Sequence, residues 1–410
     1  MPVRIVSTPT TPAPKLNVPG KLTTITGPAK AGKTLHLLNE IQGFTKGSAI
    51  KAQVFAAASS AEQEHAEFFV SDHDQLKTHE ATLINDSTEI FENLDSDTSV
   101  IGIDRANLLG REILDVVQTL RARGYQVFVA GNNMNTQMQP YVLNGNPDYT
   151  FGDVICISDD TKILSSQCHL SGAGVARYSA HIDGELQPVT LQAHPGRTEI
   201  IQSNPCDVQI VGEFGSINII CGPMGSNKTT TMLGEYNKVQ ESAVLFKPAL
   251  DTRGEQTTIT DHTGKISANA YMISESEQIL ANIPFGTRHV FVDEFFMLDD
   301  TLPKVLQVLR ARGYNVTLSG LNTDFRMQPF NFQRSTRSTG ELFAIADQVD
   351  FLKSKHVFQD ENGFYRFEDA GFTMRLTAND EQLQVGGFKE YQSVSISGHP
   401  FRNVYAEMFS

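Results

Sequence analysis

The chain is short of cysteine and has no excess of positive charge, and each shortage removes a class of protein. Only four cysteines occur in 410 residues (Cys156, Cys168, Cys206 and Cys221), and none stands in a C-x-x-C pair. That usage predicts free thiols in a reducing compartment rather than a disulfide scaffold. No apolar run approaches the roughly 18 residues of a membrane span, and the N-terminus lacks an apolar signal core. A cytoplasmic protein with no membrane partner is therefore expected. Lys and Arg total 33 against 47 Asp and Glu, a formal net charge of −14. That balance argues against a surface that coats nucleic acid, while leaving a local basic site open.

What is present is one pattern written twice. Ile25-Thr26-Gly27-Pro28-Ala29-Lys30-Ala31-Gly32-Lys33-Thr34 is matched by Ile220-Cys221-Gly222-Pro223-Met224-Gly225-Ser226-Asn227-Lys228-Thr229, 195 residues later. Leu120-Arg121-Ala122-Arg123-Gly124-Tyr125 returns as Leu309-Arg310-Ala311-Arg312-Gly313-Tyr314 at an offset of 189, which Asp104 and Asp293 share. Two domains follow, each long enough to bury a core. The expected divisions are an extended Pro/Thr-rich arm over 1–20, a first domain over 21–205 and a second over 206–410. A Pro- and Gly-containing junction is expected near 192–216.

Within each copy the apolar spacing alternates between strand and helix. The first reads as strand 22–26, helix 34–42, strand 100–104, helix 112–123 and strand 127–130. The second reads as strand 217–221, a helix from Thr229, strand 290–293, helix 302–312 and strand 316–319. Alternation of this kind predicts an α/β fold with a parallel sheet and right-handed crossovers in each domain. Residues 341–410 show little helix beyond their start and read as a strand-and-loop appendage, and a small appendage of this kind is expected after each of the two P-loop domains.

A small-residue loop between strand and helix aims backbone N–H groups at phosphate, with Lys at the outer phosphates and Thr at Mg²⁺. Gly27, Gly32, Lys33 and Thr34 satisfy that pattern in full; a relic loop without ligand is the plain alternative. In the second copy Gly222, Ser226, Asn227, Lys228, Thr229 and Thr230 form the loop. Asn227 stands where Gly is usual, and Asn tolerates a left-handed backbone better than most residues. Asp293 ends an apolar strand, as a carboxylate holding Mg²⁺ would, and Glu294 beside it is a candidate base. A surface pair closing a strand would read the same way. The first copy has Asp104-Arg105 there, and a guanidinium cannot accept the proton.

The second half resembles the type II thymidine kinase family. The resemblance rests on five ordered stretches: Gly222–Thr230; Lys247-Pro248-Ala249-Leu250-Asp251-Thr252-Arg253 with Asp261-His262-Thr263-Gly264; Val292-Asp293-Glu294; Ser319–Phe330; and Phe372–Arg375 with Val385–Tyr391. It implies ATP and Mg²⁺ as cofactors and thymidine or a related deoxynucleoside as substrate. By that resemblance Lys228 and the loop amides hold phosphate, Thr229, Asp293 and Asp251 serve the metal, and Arg253 places charge. Glu294 takes the proton of the 5′-hydroxyl. Met224, Leu321, Phe325 and Phe330 wall the base, while Thr373, Gly386 and Tyr391 close a lasso lying within about 350–399. Taken alone, Phe325 and Phe330 read equally as core. The family's oligomers imply a homo-oligomer, here a dimer of two-domain chains.

The chain departs from the family where four cysteines bind zinc. Gly363, Arg366, Ser395 and Gly398 occupy those places, so no structural zinc is expected. Phe295-Phe296-Met297 replaces the usual run after Glu294. The first half resembles the family faintly: Ala56, Ala57 and Ala58 stand where the charged motif would be, and Gly131–Tyr141 lacks the Asp-Phe-Arg core. It reads as a pseudo-kinase beside an active second half. Two other readings stay open: a non-catalytic nucleotide-binding or assembly protein, and a general ATPase indifferent to nucleosides.

Overall fold

A computed structural model describes residues 20–58, 68–71, 78–168, 175–182, 185–189, 214–253, 257–260, 264–359 and 362–409. The expected arm apart from Gly20, nearly all of the expected junction, and Asp261-His262-Thr263 lie outside these residues.

The first half is built on β1 (Lys21–Thr26), α1 (Lys33–Thr45), β2 (Lys51–Ala57), β3 (Phe68–Ser71), β4 (Thr78–Ile84), α2 (Glu89–Glu92), β5 (Thr98–Asp104), α3 (Ile113–Ala122), β6 (Gln126–Gly131), α4 (Phe151–Cys156) and β7 (Asp160–Ile163). Two small ribbons follow, β8 (Ser166–Gln167) with β9 (Val175–Ala176) and β10 (Tyr178–Ile182) with β11 (Glu185–Val189). The sheet order is β3-β4-β2-β5-β6-β1-β7, parallel throughout except for the edge strand β3.

The second half repeats the plan with β12 (Ile217–Cys221), α5 (Lys228–Val239), β13 (Ala243–Pro248), β14 (Thr258–Thr260), β15 (Ser267–Asn269), β16 (Tyr271–Ile273), α6 (Gln278–Ala281), β17 (His289–Val292), α7 (Leu302–Ala311), β18 (Asn315–Gly320), α8 (Gly340–Ile345) and β19 (Gln348–Phe351). Its six-stranded parallel sheet runs β16-β13-β17-β18-β12-β19, the same order as six strands of the first. The hairpins β20 (Ser354–Gln359) with β21 (Tyr365–Ala370) and β22 (Phe372–Arg375) with β23 (Tyr391–Val394) lead to α9 (Phe401–Glu407). The chain therefore forms two parallel-sheet α/β domains.

Every strand and helix read from spacing is present, with ends moved by at most three residues. The inner strands β2 and β13 were not legible: Ala56-Ala57 and Lys247-Pro248 carry no alternation because both faces of these strands are covered. Short elements such as β4, α2, α4, β7, β16, α6 and β19 are further additions, as is α9. Only Tyr405 of its seven residues is fully buried, so no apolar stripe announces it.

α4 and α8 pack against each other across the seam between halves, and glycines permit the approach. A Cβ on Gly152 would lie 2.0 Å from the Gly340 carbonyl oxygen, and one on Gly340 would lie 2.3 Å from Asp153 Oδ1. One apolar cluster runs through both halves, joining Ile113, Leu120, Phe151 and Val154 to Leu302, Leu309, Leu342 and Phe343.

Candidate active site

Parallel α/β sheets bind ligands beyond the carboxyl ends of their strands, and both loops lie there, after β1 and β12. Their backbones match position by position. Gly27 and Gly222 have φ of 145° and 148°, Lys30 and Gly225 have 57° and 71°, and Gly32 and Asn227 have 78° and 64°. Each loop thus carries one side chain in a left-handed position where the other keeps glycine. A Cβ at Gly222 would meet the Leu352 carbonyl oxygen at 2.2 Å, and one at Gly27 the Leu164 oxygen at 2.5 Å. The Asn227 substitution therefore leaves the loop's shape intact.

Lys228 is buried and donates to the Pro223 carbonyl at 2.7 Å. Burial pulls its pKa below the usual lysine range, opposed by the charges of Glu294 and Asp293. Thr229 Oγ1 donates to Asp293 Oδ2 at 3.4 Å, while Asp293 Oδ1 is buried with no hydrogen-bond partner. Burial, and after it the neighbouring Glu294, raises the Asp293 pKa above the usual carboxylate range. Glu294 follows with a left-handed backbone, φ 50°, which turns its side chain away from the strand's course. Its carboxylate is paired with Arg253, whose Nε donates to Asp251 Oδ1 at 2.7 Å. Lys247, 2% exposed, faces Asp251 Oδ2 at 3.6 Å. The charge of Glu294, and after it the hydrogen bond that Asp251 accepts, raise the Arg253 pKa and hold the guanidinium protonated.

Two spaces adjoin here. A cleft of about 410 Å³ is lined by the loop, Lys247, Asp251, Arg253, Asp293, Glu294 and Phe388. A second, narrowed to about 30 Å³, lies among Met224, Leu321, Phe325, Phe330, Thr373, Gly386 and Tyr391, with Phe296 and Met297 beside them. Met224, Lys228, Arg253 and Glu294 line both. All the expected wall residues thus come together, and Phe325 and Phe330 border the narrow space as well as the core.

Two segments of like sequence and one geometry decide the kinship: the thymidine kinase family model matches residues 20–179 and again 215–398. The chain belongs to the thymidine kinase family. Membership carries nucleoside phosphorylation, with ATP and Mg²⁺, as the general activity class. Asp293 Oδ1, buried and unpartnered beside the Thr229 hydroxyl, is an oxygen set that suits Mg²⁺.

Several groups at this thymidine kinase-family site were not assigned from sequence. Arg375 lies 4.0 Å from the Phe325 ring centre and donates to the carbonyls of Asn379 (2.6 Å), Glu381 (2.5 Å) and Gln382 (3.2 Å). It also donates to the Tyr391 hydroxyl at 3.0 Å, so one side chain gathers the lasso. Gln382 Nε2 in turn donates to Asp324 Oδ2 at 3.1 Å. A lone Arg in a strand gives no sequence signal for such a role. Among the described residues no cluster of three or more His, Cys, Asp or Glu is arranged to hold a metal. Near the family's cysteine positions, His356 Nδ1 meets Ser395 Oγ at 3.0 Å, Ser395 meets Ser397 at 2.9 Å, and Ser397 donates to Glu368 at 2.7 Å.

The first half holds Thr34 Oγ1 3.0 Å from Asp104 Oδ2, and Lys33 donates to Gly27 and Pro28 oxygens at 3.0 and 2.6 Å. Burial lowers the Lys33 pKa to about 8 and raises that of Asp104. Arg105 has the left-handed backbone of Glu294, φ 55°. The turn at Asp324 also survives: Asn135 Oδ1 accepts from Gln137 and Gln139 as Asp324 Oδ1 does from Arg326 and Gln328. Among the described residues of the first half no long span joins paired strands in this way: two residues link Ile182 to Glu185, whereas fifteen link Arg375 to Tyr391 in the second half.

Proposed function

We propose that the second half transfers the γ-phosphoryl group of ATP to the 5′-hydroxyl of thymidine or deoxyuridine, and that the first half is a pseudo-kinase. The observation that carries this reading is Glu294, the carboxylate shared by the phosphate cleft and the base pocket. A hydroxyl reaching from a base beside Phe325 and Phe330 toward the phosphate cleft passes the Glu294 carboxylate, which lines both spaces. Glu294 accepts the hydroxyl proton as the oxygen bonds to the γ-phosphorus, and the bond to the ADP oxygen breaks. Lys228, Arg253 and the loop amides of Gly222–Thr230 hold the charge that spreads over the transferring oxygens. Thr229 and Asp293, with Asp251 nearby, would hold Mg²⁺, which supplies neutralisation of the β- and γ-phosphates. Met224, Leu321, Thr373, Gly386 and Tyr391 orient the nucleoside and exclude water. The narrow pocket requires the lasso to lift before a nucleoside is admitted.

In the first half Gly27, Gly32, Lys33 and Thr34 can still bind nucleotide phosphates, but Arg105 cannot serve as base and a two-residue link cannot cover a nucleoside. The test is ADP release dependent on added thymidine. Glu294→Gln should lower kcat by about 10²- to 10⁴-fold, the range of a lost general base. Lys33→Ala should leave turnover within about twofold, since the assigned phosphate ligands lie elsewhere. Full activity in Glu294→Gln removes the mechanism, and abolition by Lys33→Ala reverses the assignment of halves. Binding of ATP and thymidine by the wild type without turnover would favour a non-catalytic binding protein.

A further inference from the structure

The halves meet through contacts that recur reciprocally, as in a twofold interface. Asn133 Nδ2 donates to the Ala344 carbonyl at 2.7 Å, and Asn322 Nδ2 to the Cys156 carbonyl at 2.8 Å. Arg121 on α3 and Arg310 on α7 are equivalent and buried. Arg121 donates to the Ile157 carbonyl at 2.9 Å, pairs with Asp159 at 3.2 Å and lies 4.6 Å from the Phe372 ring of the second half. Arg310 donates to the Ile345 carbonyl at 2.5 Å, faces Asp347 at 3.7 Å and lies 5.8 Å from the Tyr178 ring of the first half.

The equivalence ends one helical turn earlier, three residues before each arginine. Gln118, fully buried, accepts from Arg121 and donates from Nε2 to the Met327 carbonyl at 2.6 Å. Its counterpart Gln307 lines an open cleft of about 370 Å³ with Asn135 and Gln139. Met327 sits between the pocket residues Phe325 and Phe330 with a left-handed backbone, φ 64°. Phe372, stacked on Arg121, precedes Thr373, whose hydroxyl accepts the Met224 N–H at 3.1 Å. Both contacts from α3 therefore end on segments that wall the nucleoside pocket of the other half.

We propose that Gln118 and Arg121 of the first half are positioning residues for the nucleoside pocket of the second. Gln118 holds the Met327 turn, and Arg121 holds both Gln118 and the Phe372 end of the lasso strand. The proposal rests on the reading that the second half carries the pocket. A non-glycine residue in the left-handed region persists only where its surroundings fix it. Loss of the amide donor leaves the Met327 carbonyl buried and unpaired, so the turn relaxes and carries Phe325 and Phe330 with it. Small displacements of positioning groups have large kinetic effects.

The test compares Gln118→Ala with Gln307→Ala, its counterpart in the same interface, in the full chain. Gln118→Ala should raise KM for thymidine about tenfold while KM for ATP stays within about twofold. Gln307→Ala should change neither. Gln118→Glu provides a second variant: its carboxylate keeps the Arg121 contact but cannot donate to the Met327 carbonyl, and it should reproduce the thymidine effect. Amide hydrogen exchange gives a readout independent of turnover. Gln118→Ala or Gln118→Glu should accelerate exchange across 321–330 and 372–375, and Gln307→Ala should leave those segments unchanged. An active wild type whose Gln118 variants keep the thymidine KM overturns the proposal, as do equal effects from Gln118→Ala and Gln307→Ala. If the wild type lacks thymidine-dependent turnover, the kinase reading fails by itself, and the exchange comparison still decides whether Gln118 holds the pocket wall.

Discussion

Acid should weaken this protein through one histidine. His399 is 3% exposed and stands before α9 with a defined tautomer. Its Nε2 faces the Thr373 carbonyl at 3.4 Å, so that nitrogen carries the proton, while Nδ1 accepts the Phe401 N–H at 3.2 Å. A second proton would have to sit on Nδ1, where it would confront the Phe401 N–H and break the cap of α9. Burial, with a further contribution from the charge of Arg121, lowers the pKa to about 4 from the ordinary 6.5. The folded value lies below the unfolded one, so the unfolded chain takes up the proton first. The stability from neutral His399 is complete above pH 6.5 and drains as pH falls, with the full loss reached near pH 4. At 1.36 kcal/mol per pKa unit the loss is roughly 3 kcal/mol. Buried carboxylates pull the other way: Asp153, raised to about 7 by burial, favours the folded state as pH falls. The difference between wild type and His399→Gln separates the two, because Gln can still donate to Thr373 and does not titrate. Urea unfolding from pH 7.5 to 4 should show the variant gaining about 3 kcal/mol on the wild type. Parallel pH profiles for the two proteins would refute the argument.

The left-handed position in the second loop separates Asn from other side chains. Asn227→Gly should leave thermal stability nearly unchanged, within about 0.5 kcal/mol, whereas Asn227→Ala should cost about 1–2 kcal/mol. Thermal melts of the two variants check the contrast. At the seam between halves, Gly152→Ala would drive a methyl group to 2.0 Å from the Gly340 oxygen. A loss of at least about 1–3 kcal/mol is expected from such overpacking, measurable by denaturant unfolding.

Much of the site was readable because phosphate chemistry fixes residue types at short spacing. The Gly-to-Thr loops, the strand-ending Asp293 and the adjacent Glu294 stand within a few residues of one another, and local sequence suffices to name them. Wall residues such as Phe325 and Phe330 were readable only through resemblance, since an aromatic near a strand end reads equally as core, and they do also pack there. The contacts of Gln118 and Arg121 across the seam were invisible in the sequence. Their partners Met327 and Phe372 lie about 200 residues away, and only the folded seam brings them together. The differences between the halves divide the same way. Arg105 in the place of Glu294 was plain in the sequence, but the short link of β10 to β11 beside the long one of β22 to β23 is visible only in the fold.

The apolar cluster shared by Ile113, Phe151, Leu309 and Phe343 has a thermodynamic consequence. Each half also keeps a cluster of its own, around Ile25 and Val54 in the first and Ile220 and Leu245 in the second, but pulling the halves apart would expose apolar surface that each covers for the other. Unfolding should then proceed as one cooperative transition rather than two, despite the two sheets. Sequence drift in either half is restrained by that dependence: the helices at the seam can change their exposed residues but cannot lose their shape.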